Sequence, residues 1–238
     1  ATGLYSQATQ MTSFVPTAIN DVVARVAYPI ECELQDNNDE LQRRFFQMLR
    51  MTCFLLFPLM IGLAALAEPV VRLLLTEKWI EAVPLMRILC FAWIWWPASN
   101  MSWQLLNAKH RSDYCLKAEI IKKTIAVSLL VFSLFWGIKA VCVGILVYYV
   151  ADVYVMTLFT KRILPKVTFI GEMKALLPIL IRAMVMGIGV YLLSYIISSD
   201  IVLIATGVVV GVVFYMVIIL LTNSKEAYYL VELIRKKR

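Results

Sequence analysis

Within FVPTAINDVVARVAYP, residues 14–29, an amide and two opposite charges, Asn20, Asp21 and Arg25, sit among side chains apolar enough for a bilayer. An uncompensated charge at that depth costs several kcal/mol, so such groups either bind something or hold helices together. On a helix turning about 100° per residue, Ser6, Gln10, Ser13, Thr17, Asn20, Asp21, Ala24 and Arg25 share an arc of roughly 140°. Val15, Ile19, Val22, Val23 and Val26 take the other side. Lipid cannot satisfy such a stripe, so it faces protein or a water-filled cavity. Asp21 precedes Arg25 by four positions, the order that favours partial neutralisation on a helix, and Pro16 adds an expected kink. Two readings stand, a helix-to-helix glue and a cavity lining. The length of the stripe favours the lining, because a glue site needs only one or two polar residues.

A second face lies in residues 82–107, where Trp93, Trp96, Asn100, Trp103, Gln104 and Asn107 fall within about 100° of one another. Indoles alternating with amides suit a ligand that has apolar faces and many hydroxyls, such as a sugar. The alternative is an interfacial tryptophan belt. Against the belt, Trp93 to Asn107 covers about 21 Å of helix axis, more than one headgroup layer.

Asp152, in VGILVYYVADVYVMTLF, is a carboxylate at the centre of an apolar run. It is a candidate proton or cation site, or equally a buried acid bonded to Tyr148 or Tyr149 one turn earlier. The cluster KHRSDYCLKAEIIKK is basic enough to attract a diphosphate, although membrane topology alone would also place charges there. His110 within it reads as a solvated surface residue. Cys32, Cys53, Cys90, Cys115 and Cys142 are scattered, without a CxxC and without a second His. No metal site, disulfide framework or cofactor is expected from them.

The elements that carry these residues follow from composition. Of 238 residues, 61% are hydrophobic and 16% charged, and the mean hydropathy is +0.79. A soluble domain has about half and a quarter, so the chain is read as an all-α, polytopic transmembrane bundle. With about 20 residues per crossing, seven spans are predicted near 3–30, 44–67, 82–107, 114–136, 138–161, 175–197 and 201–222. Segment 36–50 reads as an amphipathic extension opening the second span, with Asn and Asp at its start. Residues 68–81 read as an interfacial half-helix with Trp79 at the boundary.

The joints between spans are short, so neighbours must be antiparallel. One side then collects Arg43, Arg44, Arg50, Lys109, Arg111, Lys117, Lys122, Lys123, Lys161, Arg162, Lys166, Lys174, Arg182, Lys225 and the closing RKKR, and the other only Arg72, Lys78, Arg87 and Lys139. The positive-inside rule makes the C-terminus cytoplasmic and the first residue external. The net charge of +7 is absorbed by this asymmetry, and no nucleic-acid partner is predicted. The chain opens ATGLYSQ, without a signal-peptide pattern, and is expected to be a piece of a longer protein.

The segments GLYSQATQ, VAYPIECELQDNNDEL, LLLTEKWIEAVPLMRILC, RSDYCLKAEIIKK and GIKAVCVGILVYYVADV, in this order and spacing, resemble the C-terminal half of bacterial polysaccharide and O-antigen flippases. These belong to the multidrug/oligosaccharidyl-lipid/polysaccharide exporter superfamily. The likeness covers residues 1–165, read as most of a C-terminal lobe. Residues 166–238, two further spans and an amphipathic basic tail, match only in being hydrophobic. Members usually carry a glycine before the Lys-Trp pair and before the Arg-Ser-Asp turn, where this chain has Thr76-Glu77 and Lys109-His110.

The resemblance implies a fold of about fourteen helices, of which this chain supplies spans eight to fourteen, in the bacterial inner membrane. It implies carriage of undecaprenyl-diphosphate-linked oligosaccharide from the cytoplasmic to the periplasmic leaflet by alternating access. The missing N-terminal half is an implied partner, and polysaccharide polymerase and chain-length machinery are candidate partners. Joined to the polar faces, it assigns substrate-binding roles to Asn20, Asp21, Arg25, Trp96, Asn100, Trp103, Gln104 and Asn107. Arg25 attracts the diphosphate, the amides bond the sugars and Trp96 and Trp103 stack on them. Asp152 is the ion-coupling candidate. The alternatives are a cation-coupled multidrug antiporter, a membrane-embedded glycosyltransferase or O-antigen polymerase, and an assembly subunit without transport of its own. The polymerase would require catalytic acids or an Arg-rich cluster in a sizeable outer loop, and the outer joints offer only Glu68, Glu77, Glu81 and Asp200.

Overall fold

The computed structural model describes residues 2–222; the predicted basic tail from Lys225 lies outside them. The elements are α1 (Thr2–Glu33), α2 (Asn38–Ala65), α3 (Ala67–Leu75), a 3₁₀ turn (Glu77–Ala82), α4 (Val83–Trp93), α5 (Trp96–Ala108), α6 (Ser112–Leu134), α7 (Ile138–Thr160), α8 (Phe169–Leu193) and α9 (Asp200–Leu221).

Local chemistry fixes the helix starts. Asn37 caps α2 by accepting the Glu40 N–H at 3.2 Å, with Asp39 and Glu40 in the favourable first turn. Thr168 caps α8 through the Gly171 N–H at 3.0 Å. The half-helix expected at 68–81 is α3 followed by the 3₁₀ turn.

The joints segregate to two ends, as short connections require. At one end, Lys109 donates to the Gln35 carbonyl and to Asn38 Oδ1. There too, Lys166 Nζ lies 3.1 Å from Asp39 Oδ1. At the other, Arg72 reaches Asp200 at 3.7 Å and Gly3 abuts the Trp79 indole.

Among the described residues, five stretches are long and apolar enough to cross a membrane: Asn38–Ala65, Glu77–Ala108, Ile138–Thr160, Phe169–Leu193 and Asp200–Leu221. The remaining two of the seven predicted spans, α1 with 32 residues and α6 with 23, have the length. Their composition is what sets them apart. α1 carries the polar stripe, and α6 opens on Asp113, Lys117, Glu119, Lys122 and Lys123. The third predicted span is also not one rod, because it breaks at Ile94–Trp95 between α4 and α5. Pro97 explains the break: it has no N–H for the Trp93 carbonyl, and its ring collides with that turn.

The core is centred on α2, whose Leu41, Phe45, Leu49, Leu56, Phe57 and Met60 are fully buried. Its most extensive neighbour is α8. The two approach so closely that a Cβ at Gly187 would overlap Cγ2 of Ile61. The GVVVG run of α9 places Gly207 against Leu66 and Gly211 against Val190 and Met186, the small-residue packing that membrane helices use where apolar burial supplies no driving force. Val209, Val213 and Leu220 of α9 and Leu130, Val131 and Phe132 of α6 stay exposed, as an outer wall against lipid requires.

Both departures from the family's glycine pattern coincide with left-handed backbone. His110 has φ 55°, and Thr76 has φ 77° with ψ 167°. An imidazole tolerates the first, but the second region belongs almost solely to glycine, and a β-branched residue there stores about 1–3 kcal/mol. Thr76→Gly is therefore expected to stabilise the fold by about 1 kcal/mol net of the greater freedom of the unfolded chain, seen as a higher thermal unfolding midpoint in detergent. Gly187→Ala should destabilise it by about 1–3 kcal/mol through overpacking against Ile61, seen as a lower midpoint. Helical circular dichroism followed with temperature checks both signs.

Candidate functional site

Three helices, α5, α6 and α7, enclose a hollow of about 420 Å³, within the range of small-molecule sites. Its α5 wall is Trp96, Ser99, Asn100 and Trp103, a single helical face at spacings of three, four and seven. From α6 come Glu119, Lys122 and Lys123, and from α7 Tyr148, Tyr149 and Asp152. Two other hollows, of about 430 Å³ between α2, α8 and α9 and about 830 Å³ between α4, α7 and α8, are walled almost wholly by apolar side chains. Neither offers the polar groups that orient a hydrophilic ligand.

The floor of the polar hollow is an ionic cluster. Lys122 Nζ donates to Glu119 Oε1 at 2.6 Å and lies 2.8 Å from Asp152 Oδ1. Lys122 is 7% exposed and Asp152 4%. Two expectations are corrected by this pair. Asp152 is not a lone carboxylate, and its partner is a lysine from the preceding helix instead of Tyr148 or Tyr149. Lys122 is not a headgroup charge either, because it lies ten residues into α6 and points at the centre of α7. An ammonium on an otherwise lipid-exposed helix needs a counter-ion within the protein, and Asp152 is the one α7 supplies.

Aromatic rings build the sides. Trp93 and Trp96 meet edge to face with centroids 5.4 Å apart, Trp93 reaches Tyr149 at 5.4 Å, and Tyr148 and Tyr149 lie 5.6 Å apart. The Lys122 ammonium sits 5.6 Å from the Trp103 ring. Of the predicted third-span face, Trp96, Asn100 and Trp103 line the hollow, whereas Gln104 and Asn107 do not. Gln104 Oε1 is buried without a hydrogen-bond partner, and Asn107 Oδ1 faces the Cys115 thiol at 3.6 Å.

The first-span stripe divides. Ala8, Thr12, Pro16, Asn20, Ala27 and Glu31 form the buried face of α1. Asn20 is 2% exposed, with its Nδ2 unpartnered. Ser6, Gln10, Thr17, Asp21 and Arg25 form an exposed row. No ion pair within 4.0 Å joins Asp21 to Arg25, so the expected neutralisation is absent. Within this chain the hollow lies between α5, α6 and α7, and the exposed row of α1 is not part of its lining.

The basic cluster of the 109–123 joint is tied internally. Arg111 Nε donates to Asp113 Oδ1 at 2.9 Å, and its guanidinium lies 3.7 Å from the Tyr114 ring centroid. Lys117 lies 4.0 Å from Asp113 and Lys123 4.0 Å from Glu119. These pairs weaken a diphosphate site there.

The class of protein is set by the fold. The chain superposes on the lipid II flippase MurJ in its inward closed conformation with TM-score 0.72 and 15% identity, over 93% of this chain and 48% of that one. This is a polytopic membrane bundle with the helix arrangement of that flippase, and the likeness runs well past residue 165. In sequence, residues 1–84 match the family described as "Polysaccharide biosynthesis protein". An uncharacterized membrane protein in the cps region of Klebsiella pneumoniae is 30% identical over 56% of this chain and 27% of its own length. The teichuronic acid biosynthesis protein TuaB of Bacillus subtilis (strain 168) is 33% identical over 48% and 23%. The lipopolysaccharide biosynthesis protein WzxC of Escherichia coli (strain K12) is 28% identical over 50% and 24%. The chain is similar to these proteins over part of its length, and the matches span about a quarter of the relatives' lengths.

Of the residues lining the hollow, Ser99, Glu119, Lys122, Lys123, Tyr148 and Tyr149 stand outside the predicted site. The signal for two of them was present: Glu119 and Lys122 fall three apart inside a predicted span, where an ion always asks for a partner. Breaking the pair by Lys122→Met leaves Asp152 buried and unpaired, with an expected loss of about 3–5 kcal/mol. Lys122→Met combined with Asp152→Leu should recover most of it, and thermal unfolding of the two variants in detergent checks the difference.

Proposed function

We propose that this chain is one lobe of a transporter that carries undecaprenyl-diphosphate-linked oligosaccharide repeat units from the cytoplasmic to the periplasmic leaflet. The observation that carries this reading is the exposed row Ser6, Gln10, Thr17, Asp21 and Arg25 on α1. Hydrocarbon satisfies none of these groups. In a fold of which this chain covers about half, such a row belongs on the aqueous cleft between two lobes.

A diphosphate and a polyhydroxyl head cannot enter hydrocarbon without replacement of their water. The cleft supplies that replacement, with Arg25 as the cation for the diphosphate and Asp21 beside it keeping the site from holding the anion too firmly. The hollow on α5, α6 and α7 is the lobe's second polar surface, where Trp96, Asn100 and Trp103 meet sugar. The ends with joints 34–37, 109–111 and 161–168 face the cytoplasm, since they hold most of the lysines and arginines. Rocking of the lobes exposes the cleft alternately to each leaflet while the lipid tail stays in the bilayer. The work is transport, without a catalytic residue or cofactor. The antiporter alternative is weakened because Asp152, one of its two coupling carboxylates, is held by Lys122.

Arg25→Ala in the intact transporter containing this chain is expected to abolish surface polysaccharide and to accumulate lipid-linked repeat units at unchanged protein level. Polymer at the wild-type level, scored by gel and by immunoblot of the transporter, would remove Arg25 and the cleft reading with it.

A further inference from the structure

We infer that the hollow between α5, α6 and α7 is a subsite for an uncharged pyranose ring, and that its lysines are not a diphosphate site. The inference rests on the saccharide reading above and adds the charge class of the sugar and its position.

The charge balance decides the class. The lining holds two ammonium groups, Lys122 and Lys123, and two carboxylates, Glu119 and Asp152, so the sum is zero. Lys122 already meets two carboxylates, at 2.6 and 2.8 Å. A diphosphate or uronate reaching the remaining N–H of Lys122 would lie against the two carboxylates that already meet it, and their repulsion opposes the anion. Lys123 cannot compensate, because its side chain is 73% exposed and lies 4.0 Å from Glu119, where solvent screens it.

An uncharged ring meets no such conflict. Its hydroxyls donate to carboxylate oxygen and to the Asn100 amide oxygen, and accept from the Asn100 amide and a lysine N–H. Its C–H faces lie on the indoles of Trp96 and Trp103, a contact that gains area without asking for charge. About 420 Å³ admits one or two rings and excludes a whole repeat unit, so the remainder of the glycan lies outside the hollow. The paired Lys122 serves as a fixed polar floor, and the anion is left to Arg25 on the separate face of α1.

The test is saturation-transfer difference NMR on the full chain in nanodiscs. The probes are methyl glucoside, methyl galactoside, methyl mannoside, methyl glucuronide and inorganic diphosphate. At least one neutral glycoside should receive saturation at its ring C–H protons, and its binding should be about threefold to tenfold weaker in Asn100→Ala. Trp103→Leu, with helicity checked by circular dichroism, should lose most of the signal, and excess diphosphate should not displace the glycoside. Absence of signal from all three neutral probes, insensitivity to Asn100→Ala, stronger binding of the glucuronide, or displacement by diphosphate would each overturn the assignment. The transport reading fails separately, on the Arg25→Ala export assay. Lost export without glycoside binding leaves transport and removes the subsite, and binding without any export defect does the reverse.

Discussion

Hydrocarbon offers no hydrogen-bond partner, and the polar groups that this chain carries to membrane depth answer to that constraint, with Asn20 Nδ2 and Gln104 Oε1 as exceptions. The protein meets it in three ways. Lys122 is bound by two carboxylates within 2.8 Å. Hydroxyls such as Thr12, Thr124 and Ser128 donate to the carbonyl one turn earlier in their own helix. Asp21 and Arg25 do neither, and stand exposed. The third arrangement is stable only against water or another polar surface, which is why the proposed cleft belongs on that face of α1.

The same constraint explains the architecture around the hollow. α6 and α7 are joined by Gly137, whose φ of 85° suits a residue without a side chain, and this tight reversal lays them side by side. The joint sets the pairing and the Lys122–Asp152 contact holds its register. Pro97 breaks the preceding rod and starts α5 afresh, which presents Trp96, Asn100 and Trp103 to that pair. Meanwhile α2, α8 and α9 pack closely through Gly187, Gly207 and Gly211, and none of the three contributes to the lining of the polar hollow.

Much of the fold was legible in the sequence because its signals are local. Asn37 and Asp39 marked the start of α2, Trp79 marked the interfacial turn, and alternating short joints forced antiparallel neighbours. What was not legible depends on partners distant in sequence or on backbone angles. Asp152 looked solitary because its counter-ion lies thirty positions away. The helical wheel placed Asn20 with Arg25, yet Asn20 falls on the side that α1 buries, a choice made by neighbouring helices. Gln104 and Asn107 share a face with Trp103 on an ideal wheel, but the hollow ends one turn earlier. The family's missing glycines were visible, and only the φ values at Thr76 and His110 gave them a physical meaning.

The central claim is that one face of α1 meets water at membrane depth. Single cysteines introduced by Thr17→Cys, Asp21→Cys and Val209→Cys into a cysteine-free background of the intact transporter test it most directly, with a membrane-impermeant maleimide as the reagent. The two α1 positions should label in whole cells or inverted vesicles, whereas position 209, on the outer wall of α9, should stay unlabelled until the membrane is dissolved. Equal protection of positions 17, 21 and 209 in both preparations would contradict the account.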